Sequence, residues 1–150
     1  MVGAAALIVI AAWVSAAGAA RPPSVRITTV VTTTVPIYEF TTWFGVSAIE
    51  ISCEIDHHGS SSATPVANEA YCMSASSRLT HHVTVSATGV VKTCRGAACG
   101  SNAGLGTPSF FPGTEVRSGP FACVVSAKAV TCRAHGLHGF IITASSITRL

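Results

Sequence analysis

Histidine side chains are the best suited of any in this chain to metal binding or acid–base chemistry. The six histidines form three pairs: His57-His58, His81-His82, and His135 with His138. Histidine is the commonest metal ligand and the usual general base near neutral pH. However, adjacent side chains on a strand point to opposite faces, so only one member of each adjacent pair could meet the third pair. We therefore expect solvated loop histidines and a packed or backbone-bonded His138, with no metal and no cofactor.

Carboxylates are scarce, and their spacing argues against catalysis. The acidic residues are Glu39, Glu50, Glu54, Asp56, Glu69 and Glu115. Glu50 and Glu54 fall on the same face of a predicted strand, roughly 13 Å apart by strand rise. Either glycosidase mechanism uses a smaller separation between its two carboxyl groups. We expect a solvated strand face without a close carboxylate pair, and we predict no catalytic residue.

Composition and motifs exclude several other classes of function. Rossmann, Walker, kinase, HExxH and GxSxG motifs are all absent. The net charge of +3 is scattered without a basic run, so we expect no nucleic-acid partner. A chain that is 49% hydrophobic and only 10% charged does not have the composition of a disordered protein. The aromatic residues Phe110-Phe111 and Trp43-Phe44 allow two interpretations. They either fill the core or form an exposed aromatic surface for carbohydrate or lipid.

The N-terminus indicates the compartment. Val2 to Ala20 is an uncharged apolar run that ends in small residues, as in a secretory signal peptide. We predict cleavage near Ala19 or Ala20. An uncleaved anchor is the alternative, since the run is just long enough to span a bilayer. Residues 1–20 are thus a predicted signal peptide, and residues 21–36 form a Pro/Thr-rich extended linker or an edge strand. We expect a secreted or envelope-associated protein that meets a membrane only through an uncleaved signal.

The even number of cysteines behind this signal predicts three disulfides. The cysteines are Cys53, Cys72, Cys94, Cys99, Cys123 and Cys132. β-Prone residues before Ser126 and after Lys128 predict a hairpin that brings Cys123 opposite Cys132. Cys94 and Cys99 enclose a tight loop that contains a glycine, which leaves Cys53 to pair with Cys72. A zinc site is disfavoured because paired CxxC spacing is absent.

The remaining pattern predicts short strands separated by turns. Residues 49–55 alternate between an apolar face (Ile49, Ile51, Cys53, Ile55) and a polar one, as in a strand with one buried face. The predicted strands are 37–42, 48–55, 69–74, 81–86, 90–94, 114–117, 121–125, 130–133 and 140–143. Gly139 is expected to allow a tight turn into the last strand. The fold class is therefore all-β: a small antiparallel sandwich or barrel over residues 37–150, stapled by three disulfides and preceded by a signal helix.

The C-terminal half contains the segments Gly119-Pro120-Phe121-Ala122-Cys123, Val130-Thr131-Cys132 and His138-Gly139-Phe140. With these segments the chain resembles a family of small secreted actinobacterial (mycobacterial-type) six-cysteine domains of unknown function, and the resemblance covers roughly residues 37–150. Two positions depart from the family pattern. Trp43 to Ile49 replaces a P-S-G-N-I-x-C opening, and Ala129 replaces a hairpin glycine. The resemblance implies export and the fold, and it implies no catalytic residue.

We therefore expect an exported non-catalytic module that binds an unknown ligand in the cell envelope or extracellular space, as a monomer. The alternative is a secreted hydrolase or metal-dependent enzyme whose His and Glu residues converge only in the folded chain. Convergent His and carboxylate groups in a pocket would favour the enzyme, whereas a filled core would favour the binding module.

Overall fold

The computed structural model describes residues 25–42, 51–58, 68–75, 80–96, 99 and 107–150. The predicted signal peptide and Trp43-Phe44 lie outside these residues, as does most of the polar loop between Asp56 and Asn68. None of the described segments forms a helix that is long and apolar enough to cross a membrane. The strands are β1 Thr29–Thr32, β2 Ile37–Thr42, β3 Ile51–Asp56, β4 Glu69–Ala75, β5 Thr80–Ser86, β6 Val91–Arg95, β7 Ser109–Phe110, β8 Thr114–Ser118, β9 Phe121–Val125, β10 Ala129–Ala134, β11 His138–Thr143 and β12 Ile147–Arg149.

These strands form two six-stranded sheets that pack face to face. Sheet A has the order β1-β8-β9-β10-β11-β12, and sheet B has the order β6-β5-β4-β3-β2-β7. Neighbouring strands that are consecutive in sequence pair antiparallel in both sheets, as short hairpin connections require. The all-β sandwich predicted from the sequence is confirmed.

The antiparallel pairing has two exceptions, both at sheet edges. β1 pairs parallel with β8, and β2 pairs parallel with β7, so both sheets are mixed. In each pair the two strands are far apart in sequence, which leaves enough intervening chain for a parallel crossover. For residues 21–36 the sequence predicts either an extended linker or an edge strand, and Thr29–Thr32 form an edge strand of sheet A.

Strand boundaries largely follow the sequence pattern. The predicted strands at 37–42 and 121–125 have the observed bounds, and the others within the described residues differ by one or two positions at an end. The strand predicted from Ala48 is described only from Ile51 onward. β7 and β12 were not predicted, because segments of two and three residues are too short to show an alternating pattern.

The core between the sheets is built from alternate residues of every long strand. Its largest members are Phe40 from sheet B and Phe121 and Phe140 from sheet A, each at most 1% exposed. Gly139 also has a packing role, although it lies within β11 rather than at a turn. A Cβ at this position would overlap the carbonyl oxygen of Cys132 on the neighbouring strand, so the close approach of the backbones requires glycine.

The three disulfides have the predicted pairing. Cys53–Cys72 joins β3 to β4, and Cys123–Cys132 joins β9 to β10. In both cases the bonded cysteines are directly opposite each other on neighbouring antiparallel strands. These two disulfides are buried between the sheets, where the Sγ atoms of Cys72 and Cys132 are 3.6 Å apart. Cys94–Cys99 lies at the edge strand β6, where Cys94 is exposed.

Candidate functional site

The outer face of sheet B carries a cluster of acidic side chains that we call the carboxylate cluster. Its members are Glu39, Glu54, Asp56 and Glu69. The alternation of β3 places Cys53 and Ile55 in the core, and therefore turns Glu54 and Asp56 outward. β2 positions Glu39 opposite Glu54, and β4 positions Glu69 opposite Asp56. All four residues are partly buried rather than freely solvated.

Glu39 and Glu54 form a close carboxyl pair at the centre of this cluster. A side-chain hydrogen bond links them, and the Tyr71 hydroxyl donates a second hydrogen bond to Glu54 Oε2 at 3.0 Å. Thr107 Oγ1 donates to Glu39 Oε2 at 3.3 Å. Burial raises the pKa of Glu54 from 4.5 to about 7, and the neighbouring carboxylates Glu39 and Asp56 add to the rise, whereas Tyr71 opposes it. The pair can therefore retain a proton close to neutral pH.

Asp56 and His58 extend the cluster beyond the end of β3. Asp56 Oδ1 and His58 Nε2 are 3.8 Å apart, and neither atom has a hydrogen-bond partner despite being buried. Burial raises the pKa of Asp56, while the charge of His58 lowers it. The His58 backbone N–H donates to Asn68 Oδ1 at 3.1 Å, which fixes the chain beside β4. This end of the cluster thus contains an acid and a base in a weakly solvated setting.

The carboxyl pair corrects the expectation that acidic residues stay apart. Glu50 lies outside the described residues, so the separation of Glu50 from Glu54 is untested. The carboxyl group that lies close to Glu54 is that of Glu39, which is distant in sequence but directly opposite Glu54 on the neighbouring strand. Finding it would require the register of β2 against β3, in which the buried Phe40 sits opposite Cys53. The alternation around Phe40 gives the face of each strand but not this register.

The structure also corrects the expected roles of the histidines. His138, predicted to be packed or backbone-bonded, is exposed, and it is His81 that is buried at 4% exposure. His57 and His58 are partly buried rather than solvated. His82 packs against the Tyr71 ring at a centroid distance of 5.2 Å, and burial lowers the pKa of His82.

A second candidate site is an open groove on the outer face of sheet A, which we call the sheet A groove. Its larger part has a volume of about 640 Å³ and is lined by β8, β9 and β10 together with the segment before β1. Residues lining this part include Ile27, Glu115, Arg117, Val124, Arg133 and His135. A cleft of about 580 Å³ adjoins it through the shared residues Val25 and Thr131, and contains Arg26 and Lys128.

The sheet A groove is lined by four basic side chains (Arg26, Arg117, Lys128 and Arg133), by the acidic Glu115 and by several apolar residues. Arg117 donates to Glu115 Oε2 at 3.0 Å, and Arg133 donates to the Leu137 carbonyl at 3.0 Å. A guanidinium has five N–H donors, so each arginine keeps donors for a ligand while these contacts fix its position. His135 lies at the rim with a φ of 50°, in the left-handed region. Its backbone N–H donates to the Pro120 carbonyl at 2.8 Å, which anchors this turn.

The proposed aromatic surface is divided in the structure. Phe110 is partly buried and packs against Phe40 with ring centroids 5.9 Å apart, whereas Phe111 is 61% exposed. Trp43-Phe44 lies outside the described residues, so a surface that combines all four aromatic residues is untested. Of the two described residues, Phe110 packs against the core and Phe111 lies at the surface.

Comparisons with known proteins add no identification. No family model, curated protein or solved structure matches this chain.

Proposed function

We propose that this chain is an exported, non-catalytic binding module of the cell envelope or extracellular space, and that the sheet A groove binds an anionic ligand with an apolar part. The observation that carries the proposal is the composition of the groove, in which Arg117 and Arg133 lie on either side of Ala122 and share the groove with the apolar side chains of Ile27 and Val124. Arginine suits carboxylate and phosphate groups because its planar fork of donors matches their oxygens.

The arrangement of the core supports a binding role over an internal active site. Disulfides and three phenylalanines occupy the space between the sheets, which leaves the outer faces for ligands. Three disulfides are typical of proteins from oxidising compartments, which supports export.

Calorimetric titration of the oxidised chain with dodecyl phosphate tests the proposal. We expect saturable binding that is weaker for inorganic phosphate, which lacks the tail, and for dodecyl maltoside, which lacks the charge. Arg133→Gln should reduce the affinity about tenfold or more, since a hydrogen bond to a charged group contributes about 1.5–3 kcal/mol. Lys92→Gln, on the exposed edge of sheet B, is the matched control. Equal binding by both variants, or no binding by the parent, would contradict the proposal.

Acid–base catalysis is a second candidate function, favoured by the Glu39–Glu54 pair. Two carboxyl groups that share a proton can activate water with one member and protonate a leaving group with the other, as in aspartic proteases. The groups are closer together than the carboxyls of either glycosidase mechanism, so peptide or ester hydrolysis fits the geometry better. A chromogenic ester and a fluorogenic peptide library are suitable substrates. Turnover that is lost in Glu54→Gln but retained in Arg133→Gln would favour this candidate over the binding module.

A further inference from the structure

Two buried disulfides, one from each of the two facing sheets, lie side by side at the centre of the sandwich. Cys53 and Cys72 belong to sheet B, and Cys123 and Cys132 belong to sheet A. The sulfurs of Cys53, Cys72 and Cys132 all lie within 4.8 Å of one another, and Cys123 is bonded to Cys132. All four residues are at most 2% exposed. The oxidised chain holds these sulfurs as two disulfides that contact each other.

We propose that the same four sulfurs, once reduced, form a tetrathiolate site for a thiophilic divalent cation of the Zn²⁺ type. Tetrahedral zinc has Zn–S bonds of about 2.3 Å, which places any two of its sulfur ligands about 3.8 Å apart. The Sγ atoms of Cys72 and Cys132 are already 3.6 Å apart, close to this edge length. Formation of the site then requires that each formerly bonded pair separates to the same spacing, by side-chain rotation.

The chemistry balances with a dithiol as the reductant. Each disulfide accepts two electrons and two protons to give two thiols, while the dithiol is oxidised to its own disulfide. The cation then replaces the thiol protons, which pass to solvent. Four buried cysteines thus have two alternative states: two disulfides under oxidising conditions, or one metal centre under reducing conditions with the cation present.

The topology explains why the spacing in the sequence does not predict this site. Zinc motifs usually bring two ligands together through a CxxC turn. Here each pair is instead formed across two antiparallel strands, Cys53 opposite Cys72 and Cys123 opposite Cys132. Packing of the two sheets then brings the pairs together. Pairing of strands and packing of the sheets therefore bring these cysteines together, as a CxxC motif does in other zinc sites.

The test uses the full chain, reduced with a dithiol, freed of it under nitrogen, and refolded with Co²⁺ as a spectroscopic probe. We expect one Co²⁺ per chain, the visible absorption of tetrahedral cobalt thiolate, and β-sheet circular dichroism that depends on the metal. Zn²⁺ should displace the cobalt and abolish the absorption. Cys72→Ser should weaken binding more than about tenfold, since loss of a direct ligand should cost at least as much as loss of an outer partner.

The Cys94→Ser/Cys99→Ser double variant is the matched control, since it keeps all four core sulfurs and should bind cobalt like the parent. Four results would overturn the proposal. Three are no tetrahedral absorption in the parent, equal binding by Cys72→Ser, and loss of binding in the double variant. The fourth is cobalt binding by a chain that stays unfolded by circular dichroism, because unfolded thiols can bind metals without a built site.

Discussion

The pKa of Glu54 is set by burial, by neighbouring carboxylates and by a hydrogen bond, which do not all change it in the same direction. Burial and the neighbouring carboxylates favour the neutral acid, whereas the hydrogen bond from Tyr71 favours the carboxylate. Because the pKa rises from 4.5 to about 7, the folded chain binds a proton more tightly than the unfolded chain. The resulting stabilisation is fully present below pH 4.5 and is lost as the pH rises through 7.

The first prediction is that Glu54→Gln and the parent have similar melting temperatures at pH 4, while the variant is the more stable at pH 8. Glutamine resembles the protonated acid, so it removes only the cost of the buried charge. Thermal melts followed by circular dichroism over this pH range measure the difference between the two chains. Glu69→Gln, on the same sheet face, should keep the parent's loss of stability as the pH rises through 7, because Glu69 is not among the groups that raise the pKa of Glu54. A Glu54→Gln variant that is no more stable than the parent at pH 8 would contradict the assignment.

The second prediction concerns the hydroxyl that opposes this rise. Tyr71→Phe keeps the ring but removes the donor to Glu54 Oε2. The pKa of Glu54 should therefore rise further, because the charged form loses its hydrogen bond. Carbon-13 NMR of the side-chain carboxyl groups follows this titration directly, with Glu54→Gln identifying the resonance. A midpoint that stays constant or falls would show that the phenol does not stabilise the carboxylate.

Among the elements, the antiparallel strands β9, β10 and β11 were the most predictable. Phe121, Val125 and Val130 lie at alternating positions near one predicted cross-link, and the structure buries all three. The predicted Cys123–Cys132 pairing follows from the same hairpin. Such local patterns are readable because they need only the two-residue period of a strand and a turn signal.

Contacts between distant elements could not be predicted in the same way. The proximity of Glu39 to Glu54 depends on the register between β2 and β3, and the Cys72–Cys132 contact depends on how two separate sheets pack. The sheet A groove likewise needs the segment at Ile27, which leads into an edge strand whose parallel pairing has no sequence signature. The sequence thus indicated which side chains face outward, but not which of them meet.

The third prediction tests whether β11 is central to the core. Phe140 is fully buried, so Phe140→Ala should lower the free energy of unfolding by about 3–5 kcal/mol through lost contacts and a cavity. That loss is comparable to the total stability of many small domains, so cooperative unfolding should be weakened or absent. Leu137→Ala is the control, because Leu137 is 69% exposed in the preceding turn and should change stability by less than about 0.5 kcal/mol. Thermal melts of both oxidised variants make the comparison. Equal melting temperatures for parent and Phe140→Ala would make β11 peripheral.

At the scale of the whole fold, the described acidic side chains are concentrated on the outer face of sheet B. Within the described residues, every acidic side chain except Glu115 belongs to sheet B, whereas Arg26, Arg117, Lys128 and Arg133 line the groove of sheet A. The net charge of +3 alone does not indicate this uneven distribution of acidic and basic side chains. Clustered basic side chains attract anions from solution, and in the sheet A groove only Arg117 is paired with a carboxylate, that of Glu115, among the described residues.

The disulfides are likewise divided between surface and core, and this leads to the last prediction. Cys94 is exposed on the edge strand β6, whereas the four core cysteines are at most 2% exposed. A dithiol must reach a sulfur atom to attack it, so under native conditions Cys94–Cys99 should be reduced first. The core disulfides should open only as fast as the sandwich unfolds.

Timed reduction followed by alkylation and mass spectrometry tests this order. We expect an early species with two alkylated cysteines, mapped to Cys94 and Cys99, and with unchanged circular dichroism. The remaining four cysteines should then react together at the rate of global unfolding, because the two core disulfides share one buried environment. Adding urea should accelerate the second phase much more than the first. An early species alkylated at Cys53 or Cys123 would show that the sandwich opens locally, and that its core sulfurs are not protected by the packing of the two sheets.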